Sequence, residues 1–521
     1  MDARTWTLAL NTLLLAGATC AISLPLGTVL AWLLTRTDVP GRRVAVGMLA
    51  LMLFVPLYLQ TAAWQAGFAV QGWATLAWGF PPWLEDWTGA IWVHAVAAVP
   101  WVVLIVGVGL RLVEPELEEQ ALLDASPGRV FLHVTLRGVV PAIAVAAIWV
   151  SINAAGEIAV TDLFRVRTYA EEVYTRAAVG PQLGDAPLGA TPGVILSAVL
   201  VGAAVVLCAK LLPGERPLSL RPPWVFSLGR WRLPIAILVG IFLAVLVGVP
   251  LMNLCCKSGI LVTQTDAGRL RSWSLWKCLA TVAAAPWQYR REFGWSLSIA
   301  ALSATAAVLT ATVLASLTTL GKRRPGVLRA GLLLSIAVCL AIPGPVVGLA
   351  IVRLMNQPWC PPLLWLYDRS IFAPWLATLV RSLPPAALIM WHALRTFPRE
   401  MLEAAAADGA GPLRRLLLIV LPCRLPALAL AWVVAMAVSL GDLAASILVV
   451  PPGVTTLSIR IFGLLHSGVE DQVAGVCLAL IVLFAAAATV AAWSASRWIR
   501  SRRPTRLEHH DIVYNRMRRS P

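Results

Sequence analysis

The stretch EAAAADGAGPLRRLLLIVLP, Glu403 to Pro422, is a charged island between two long apolar runs, and a degraded copy, EEQALLDASPGRVFLHVTL, lies at Glu118 to Leu136. Setting Pro127, Pro141, Gly156 and Glu157 beside Pro412, Pro426, Gly441 and Asp442 gives one constant separation of 285 residues. A polar loop that recurs at a fixed offset, each time followed by an apolar run, marks an internal duplication in one orientation. Parallel repeats of this kind place two halves about an axis along the membrane normal, with a pathway between them.

The surroundings of the two loops are a bilayer protein's. Hydrophobic residues make up 59% of the 521 and charged residues only 13%, too little polar surface for a soluble chain. Apolar runs at roughly 8–35, 44–70, 90–112, 138–163, 190–213, 233–255, 294–320, 328–355, 371–395, 424–450 and 472–498 are each long enough to cross a hydrocarbon core of about 30 Å. The expectation is an all-α polytopic membrane protein with about eleven transmembrane helices in two parallel repeats, five plus six. The first half occupies residues 1–213, a Pro- and Arg-containing linker 214–232, the second half 233–500 with one additional leading span, and a basic tail 501–521. The first run lacks a small-residue cleavage signal and reads as a retained span.

The net charge of +16 is distributed in a way that excludes nucleic acid as the partner. Arg36, Arg42 and Arg43, the stretch Lys210 to Arg232, Lys322 to Arg329 and the tail from Arg497 to Arg519 all fall on the side of the two polar loops. That is the positive-inside bias, so the loops are expected in the cytoplasm, with the N-terminus outside and the C-terminus inside. The tail reads as a solvated segment drawn to anionic headgroups. Trp73, Trp78, Trp83, Trp87 and Trp92, and Trp273, Trp276, Trp287 and Trp295, suit the opposite interface or a docking face for an external protein. The loop 256–293 has room for a short amphipathic helix but not for a fold of its own. Nine scattered cysteines read as small apolar residues, although Cys255, Cys256, Cys278 and Cys360 lie where a disulfide is conceivable.

Within the second loop, Glu400, Glu403 and Asp408 come early, Gly409-Ala410-Gly411-Pro412 breaks the helix, and Arg414-Arg415 opens another. Ala404 to Ala407 permit close backbone approach, and Gly409 accepts a positive φ. A short helix with a small-residue face and one Glu fits a groove in another protein and suits no catalysis. Glu403-Ala404-Ala405, Gly409 six residues on, and Ile419-x-Leu421-Pro422 resemble the EAA loop of binding-protein-dependent ABC importer permeases of type I. The stretch Gly441 to Gly475 is similar to the subgroup with both halves fused in one chain, the ferric-iron and thiamine type permeases.

The resemblance implies that each loop, 118–137 and 400–422, is a coupling helix seated on one member of a homodimeric or otherwise paired set of ABC ATPase subunits. Glu403, Ala404, Ala405, Asp408, Gly409 and Ala410 would make the contact in the second. Glu119, Ala121, Asp124, Ala125 and Ser126, with Pro127, match in the first, where the central Gly is missing and Arg137 replaces the Pro corresponding to Pro422. Asymmetric docking is therefore expected, with the second loop the stronger. An extracytoplasmic solute-binding protein, the bilayer of a bacterial inner membrane and ATP hydrolysis on separate subunits are also implied. The implied cargo is ferric iron first, then thiamine, phosphonate or a polyamine.

Glu157 and Asp442 fall at equivalent depths, where a carboxylate is costly unless it faces a wet cavity or a partner. As a pair across a pseudo-twofold axis they would form an acidic constriction that attracts cations; the alternative is that each caps a helix or pairs with Arg381. Ser151 and Asn153 are further candidates for the pathway. No catalytic set, resident metal or cofactor is expected of this chain. Gly321-Lys322 lacks the upstream Gly and the following Ser or Thr of a phosphate loop; His466 reads as a hydrogen-bonded loop histidine rather than a contact for a binding protein or a metal, and Glu508-His509-His510-Asp511 as a solvated tail rather than ligands. An ion-coupled secondary transporter is the competing class, and a scaffold or a polytopic enzyme a third.

Overall fold

The computed structural model describes residues 3–53, 55–111, 113–179, 195, 199, 202, 224–265, 268–319 and 325–501. Most of the expected fifth span (190–213), most of the linker, part of the basic stretch 322–329 and the tail motif Glu508 to Asp511 lie outside the described residues. The chain divides into two compact units, Met1–Ala479 and Leu480–Pro521, and all that follows concerns the first.

The elements run α1 (Ala3–Arg36), α2 (Arg42–Met52), α3 (Leu57–Phe68), α4 (Trp73–Trp78), α5 (Asp86–Arg111), α6 (Pro115–Asp124), α7 (Gly128–Gly156), α8 (Ala159–Leu163) and α9 (Tyr169–Val179). After the linker come α10 (Gly229–Ser258), the hairpin β1 (Ile260–Thr265) and β2 (Gly268–Trp273), α11 (Leu275–Gln288) and α12 (Arg290–Thr319). The chain then forms α13 (Pro325–Ala341), α14 (Gly344–Met355), α15 (Pro361–Arg369), α16 (Phe372–Arg395), α17 (Arg399–Ala407), α18 (Pro412–Cys423), α19 (Leu425–Gly441), α20 (Leu457–His466) and α21 (Glu470–Ser501). Among the described residues six helices are long and apolar enough to cross a membrane, and three bent pairs bring the candidates to nine. The protein is thus an all-α polytopic membrane protein apart from the one hairpin.

One succession occurs twice: a long helix, a bent pair, a second long helix, a short loop helix, and a helix that ends at an acid. The bends have a common cause. Pro56 and Pro343 are the N-caps of α3 and α14, with φ of -57° and -58°, and the helices on either side meet at 103° and 102°. A proline there supplies no N–H to the preceding turn and fixes φ, so the incoming helix stops and the chain turns. The runs expected to cross at 44–70 and 328–355 are each bent in this way, which hydropathy does not register because it averages across a kink.

The 285-residue offset is visible in the backbone. A π turn at Phe131–Thr135 recurs at Leu416–Val420, and the helices end at Gly156 and Gly441. The copies then differ. α7 runs unbroken for 29 residues, whereas α18 and α19 meet at 79° beside Arg424. Pro422 and Pro426 remove two N–H donors one turn apart, while the first copy has Arg137 in place of Pro422 and keeps only Pro141. Arg424 stabilises the bend from outside, donating to the Thr396 carbonyl at 2.6 Å with its guanidinium over the Phe397 ring.

The additional span α10 braces the first half against the start of α21. Asn253 accepts a hydrogen bond from Trp73 Nε1 at 3.0 Å, and Lys257 donates to the Gln71 carbonyl and pairs with Glu470. The segment 256–293 does fold locally. Its antiparallel hairpin pairs Ile260 with Trp273 through Thr265 with Gly268, and Ser274 caps α11 by accepting from Lys277 N. Lys277 pairs with Asp471 at 3.2 Å. Among the described cysteines all eight are unpaired thiols.

Small residues let the turn after α19 press against α14. A Cβ on Gly348 would lie 2.8 Å from the Ala445 carbonyl oxygen, and one on Gly344 would lie 2.5 Å from Ala444 Cβ. Gly348→Ala is expected to cost about 1–3 kcal/mol, since the obstruction is backbone and cannot rotate away. Thermal unfolding in detergent measures it; an unchanged midpoint would show that the turn yields freely.

Candidate functional site

The two polar loops become α6, whose Glu118 meets Arg36, and α17. In α17 only Ala405 is buried; Glu403, Ala404 and Asp408 are exposed and Ala410 half-buried, and Gly409 adopts φ 78°. Its N–H and that of Ala410 close the helix onto Ala406 and Ala405. Without a Cβ this left-handed turn is free of strain. In α6, Glu119 is exposed, Ala121 half-buried, and Asp124 closes the helix. Ala125 is extended at φ -139°, so the first loop turns without a left-handed residue and needs no Gly.

Glu118, beside the expected Glu119, is the residue with the most consequential contacts. Counted back from Pro127 at the 285-residue offset without a gap, it stands opposite Glu403. Both its side chain and that of Arg36 are fully buried, and they pair at 2.9 Å. Glu118 also accepts from the Thr135 hydroxyl at 2.7 Å, and Arg36 donates to the Leu110 and Trp224 carbonyls. This cluster ties α6 to the ends of α1 and α5 and to the described part of the linker. Linker residues are held further by Leu228 N donating to Asp38. Burial pushes the Glu118 carboxyl above its ordinary range, against the pull of Thr135 and Arg36. Among the described residues nothing comparable holds Glu403.

Between the two copies lies a cavity of about 200 Å³ lined by Asn153, Glu157, Arg381 and Asp442 together with Trp101 and Trp149. It sits where the copies meet reciprocally: Gly156 faces Pro343, and Gly441 faces Pro56. Tyr58 adds a hydrogen bond from its hydroxyl to the Leu440 carbonyl at 3.3 Å. Exchange of equivalent partners is what a pseudo-twofold axis produces.

The two acids serve the backbone and the cavity at once. Glu157 accepts from Ala159 N at 3.2 Å, Asp442 accepts from Ser446 N at 3.0 Å, and each thereby stabilises the turn after its helix. Arg381 stands 3.9 Å from Asp442, leaving two carboxylates to one guanidinium. Ser151 does not line the cavity; its hydroxyl meets Cys20 Sγ at 3.4 Å, against α1. Trp101 and Trp149 pack with ring centroids 4.9 Å apart. His466 is hydrogen-bonded as expected, at the last residue of α20: its Nε2 meets Asp162 Oδ2 at 2.9 Å, so it bridges α20 and α8.

Residues 307–503 match the family model described as "Binding-protein-dependent transport system inner membrane component". The chain is similar to the putrescine transport system permease protein PotI of Escherichia coli (strain K12), 33% identical over 181 residues, which cover 34% of this chain and 63% of that relative. It is also similar to the molybdenum transport system permease protein ModB of the same strain, 29% identical over 185 residues, 33% of this chain and 79% of the relative. The spermidine/putrescine transport system permease protein PotC of Haemophilus influenzae is 34% identical over 108 residues, 21% of this chain and 42% of the relative. The matched family segment contains α16 to α20, and so the second loop, the acid at Asp442 and the turn after it. Through that segment the chain is similar to the binding-protein-dependent transport system inner membrane components, and it spans less than two thirds of the length of PotI.

Proposed function

We propose that this chain is the permease subunit of an ATP-driven importer, with α6 and α17 in the cytoplasm on paired ATPase subunits. An extracytoplasmic binding protein delivers the solute, which passes through the cavity between the two copies. One observation carries this reading: a loop helix, an ascending helix and a terminal acid at one cavity occur twice at a single offset. Rigid-body rocking of parallel repeats about such a cavity is how transporters of this build alternate access. The cargo reading moves away from ferric iron, which none of the relatives' names carries. Two of the three relatives described above bear polyamine names and one bears molybdenum, so a polyamine is favoured over thiamine or phosphonate.

The combined variant Glu157→Gln/Asp442→Asn keeps an acceptor oxygen for each capping N–H and removes both charges. Solute-stimulated ATPase of the complex in nanodiscs is expected to fall about tenfold, or ~1.4 kcal/mol. Unchanged turnover would remove the acids from the pathway. Solute uptake that persists in vesicles without the ATPase would replace the importer reading by an ion-coupled one.

A further inference from the structure

The cavity between the two copies carries three polar atoms that the protein leaves unused. Gln60, His94 and Thr19 are among the residues that line it, and Gln60 Oε1, His94 Nε2 and Thr19 Oγ1 are buried without a hydrogen-bond partner. The residues are 6%, 4% and 2% exposed. An unpaired polar group away from water costs roughly 1–3 kcal/mol, so three at one cavity are expensive unless something visits it.

Their chemistry defines the visitor. Gln60 Nε2 donates to the Val55 carbonyl at 3.2 Å, which fixes the amide and leaves its oxygen, an acceptor only, without a partner. His94 Nδ1 lies 2.8 Å from the Ala90 carbonyl. A carbonyl cannot donate, so Nδ1 carries the proton, and Nε2 of the neutral ring is an acceptor. Thr19 can play either part. With Glu157 and Asp442 the wall therefore offers two neutral acceptors and two carboxylates, against one guanidinium at Arg381. Trp101 supplies an aromatic surface, favourable to a cation. At about 200 Å³ the space is below the roughly 300–1,000 Å³ of pockets for drug-sized ligands.

We infer that this cavity is a solute station selective for a small N–H-rich cation, a primary or secondary alkylammonium, with Gln60 and His94 as its specificity-determining residues. The inference rests on the importer reading and adds that the permease itself, and not only a binding protein, holds and selects the cargo. An oxyanion such as molybdate has no N–H to offer and would meet two carboxylates and two acceptors.

The test is equilibrium retention of radiolabelled putrescine by the full chain in nanodiscs without any binding protein, with molybdate as competitor. Saturable retention is expected, unaffected by molybdate and weakened at least tenfold by Gln60→Leu/His94→Leu. Gln60→Glu keeps an acceptor and adds charge, and is expected to retain putrescine as well as the parent or better, which separates a lost site from a lost fold. Absence of saturable retention, displacement by molybdate, or equal retention by the Leu and Glu variants would overturn the inference. Co-purification of an ABC ATPase is scored on the same preparations. If the ATPase is bound and putrescine is not, only the amine station falls; if no ATPase binds, the importer reading falls, and the station with it.

Discussion

Arg36→Ala is expected to destabilise the protein by about 3–5 kcal/mol, the cost of leaving a buried charge without its partner. Glu118 would keep Thr135 but lose the guanidinium, and the Leu110 and Trp224 carbonyls would lose their donor as well. The pair itself is worth much less than this figure, because burial already pushes Glu118 upward in spite of Arg36. Arg36→Met/Glu118→Leu, which removes both charges and keeps apolar bulk, should therefore recover most of the loss. The pH dependence has a definite sign. A carboxyl raised by the fold contributes stability below its ordinary range and loses it as the pH rises through the raised value. Without Arg36 the rise is larger, so the deficit of Arg36→Ala should be smallest in acid and grow toward neutral pH, while the double variant stays flat. Unfolding in detergent across that range measures all three. A double variant as unstable as the single one would show that the network, and not the stranded charge, sets the cost.

The duplication was legible because it is carried by residues with backbone consequences. Pro127, Gly156 and Glu157 keep their spacing in Pro412, Gly441 and Asp442 since each starts, ends or caps a helix. Arg381 as a partner for Asp442 was legible for a related reason: a cation within a span needs an anion. The bends at Pro56 and Pro343 were not, because each sits inside an apolar run whose average hides it. The hairpin at 260–273 was hidden by length, since two six-residue strands give too few periods to stand out between apolar helices. Glu118 was passed over because a gap placed Glu119 opposite Glu403, although the ungapped offset selects Glu118. Gln60 and His94 had no pattern to betray them; their significance is an unpaired atom at a cavity, which only the folded chain defines.

The first loop is fastened and the second is open, and the consequence should be measurable in the assembled importer. Glu403→Lys is expected to weaken ATPase association at least tenfold, whereas Glu119→Lys costs threefold or less. On the proposed docking, α17 would offer the exposed small residues Ala404, Ala406, Ala407 and Gly409, on which a partner's backbone could approach closely beside Glu403. A reversed charge at such short range would oppose whatever group pairs with Glu403 in that docking. α6 presents a different surface. Its Leu123 is 86% exposed, so an apolar contact and not a charge dominates there. Leu123→Asp should accordingly harm the first contact more than Glu119→Lys does, and should leave the second untouched. Because Glu118 and Arg36 lock α6 to α1 and α5, a push on the first loop moves that half as a body. On the same reading the second loop would transmit through the Arg424–Thr396 link and the bend between α18 and α19. Pull-down of the ATPase with each variant, alongside ATPase stimulation by loaded binding protein, separates docking from transmission. Equal losses for the two Glu variants would mean that the partner reads both loops alike and that the asymmetry ends at the protein's own surface.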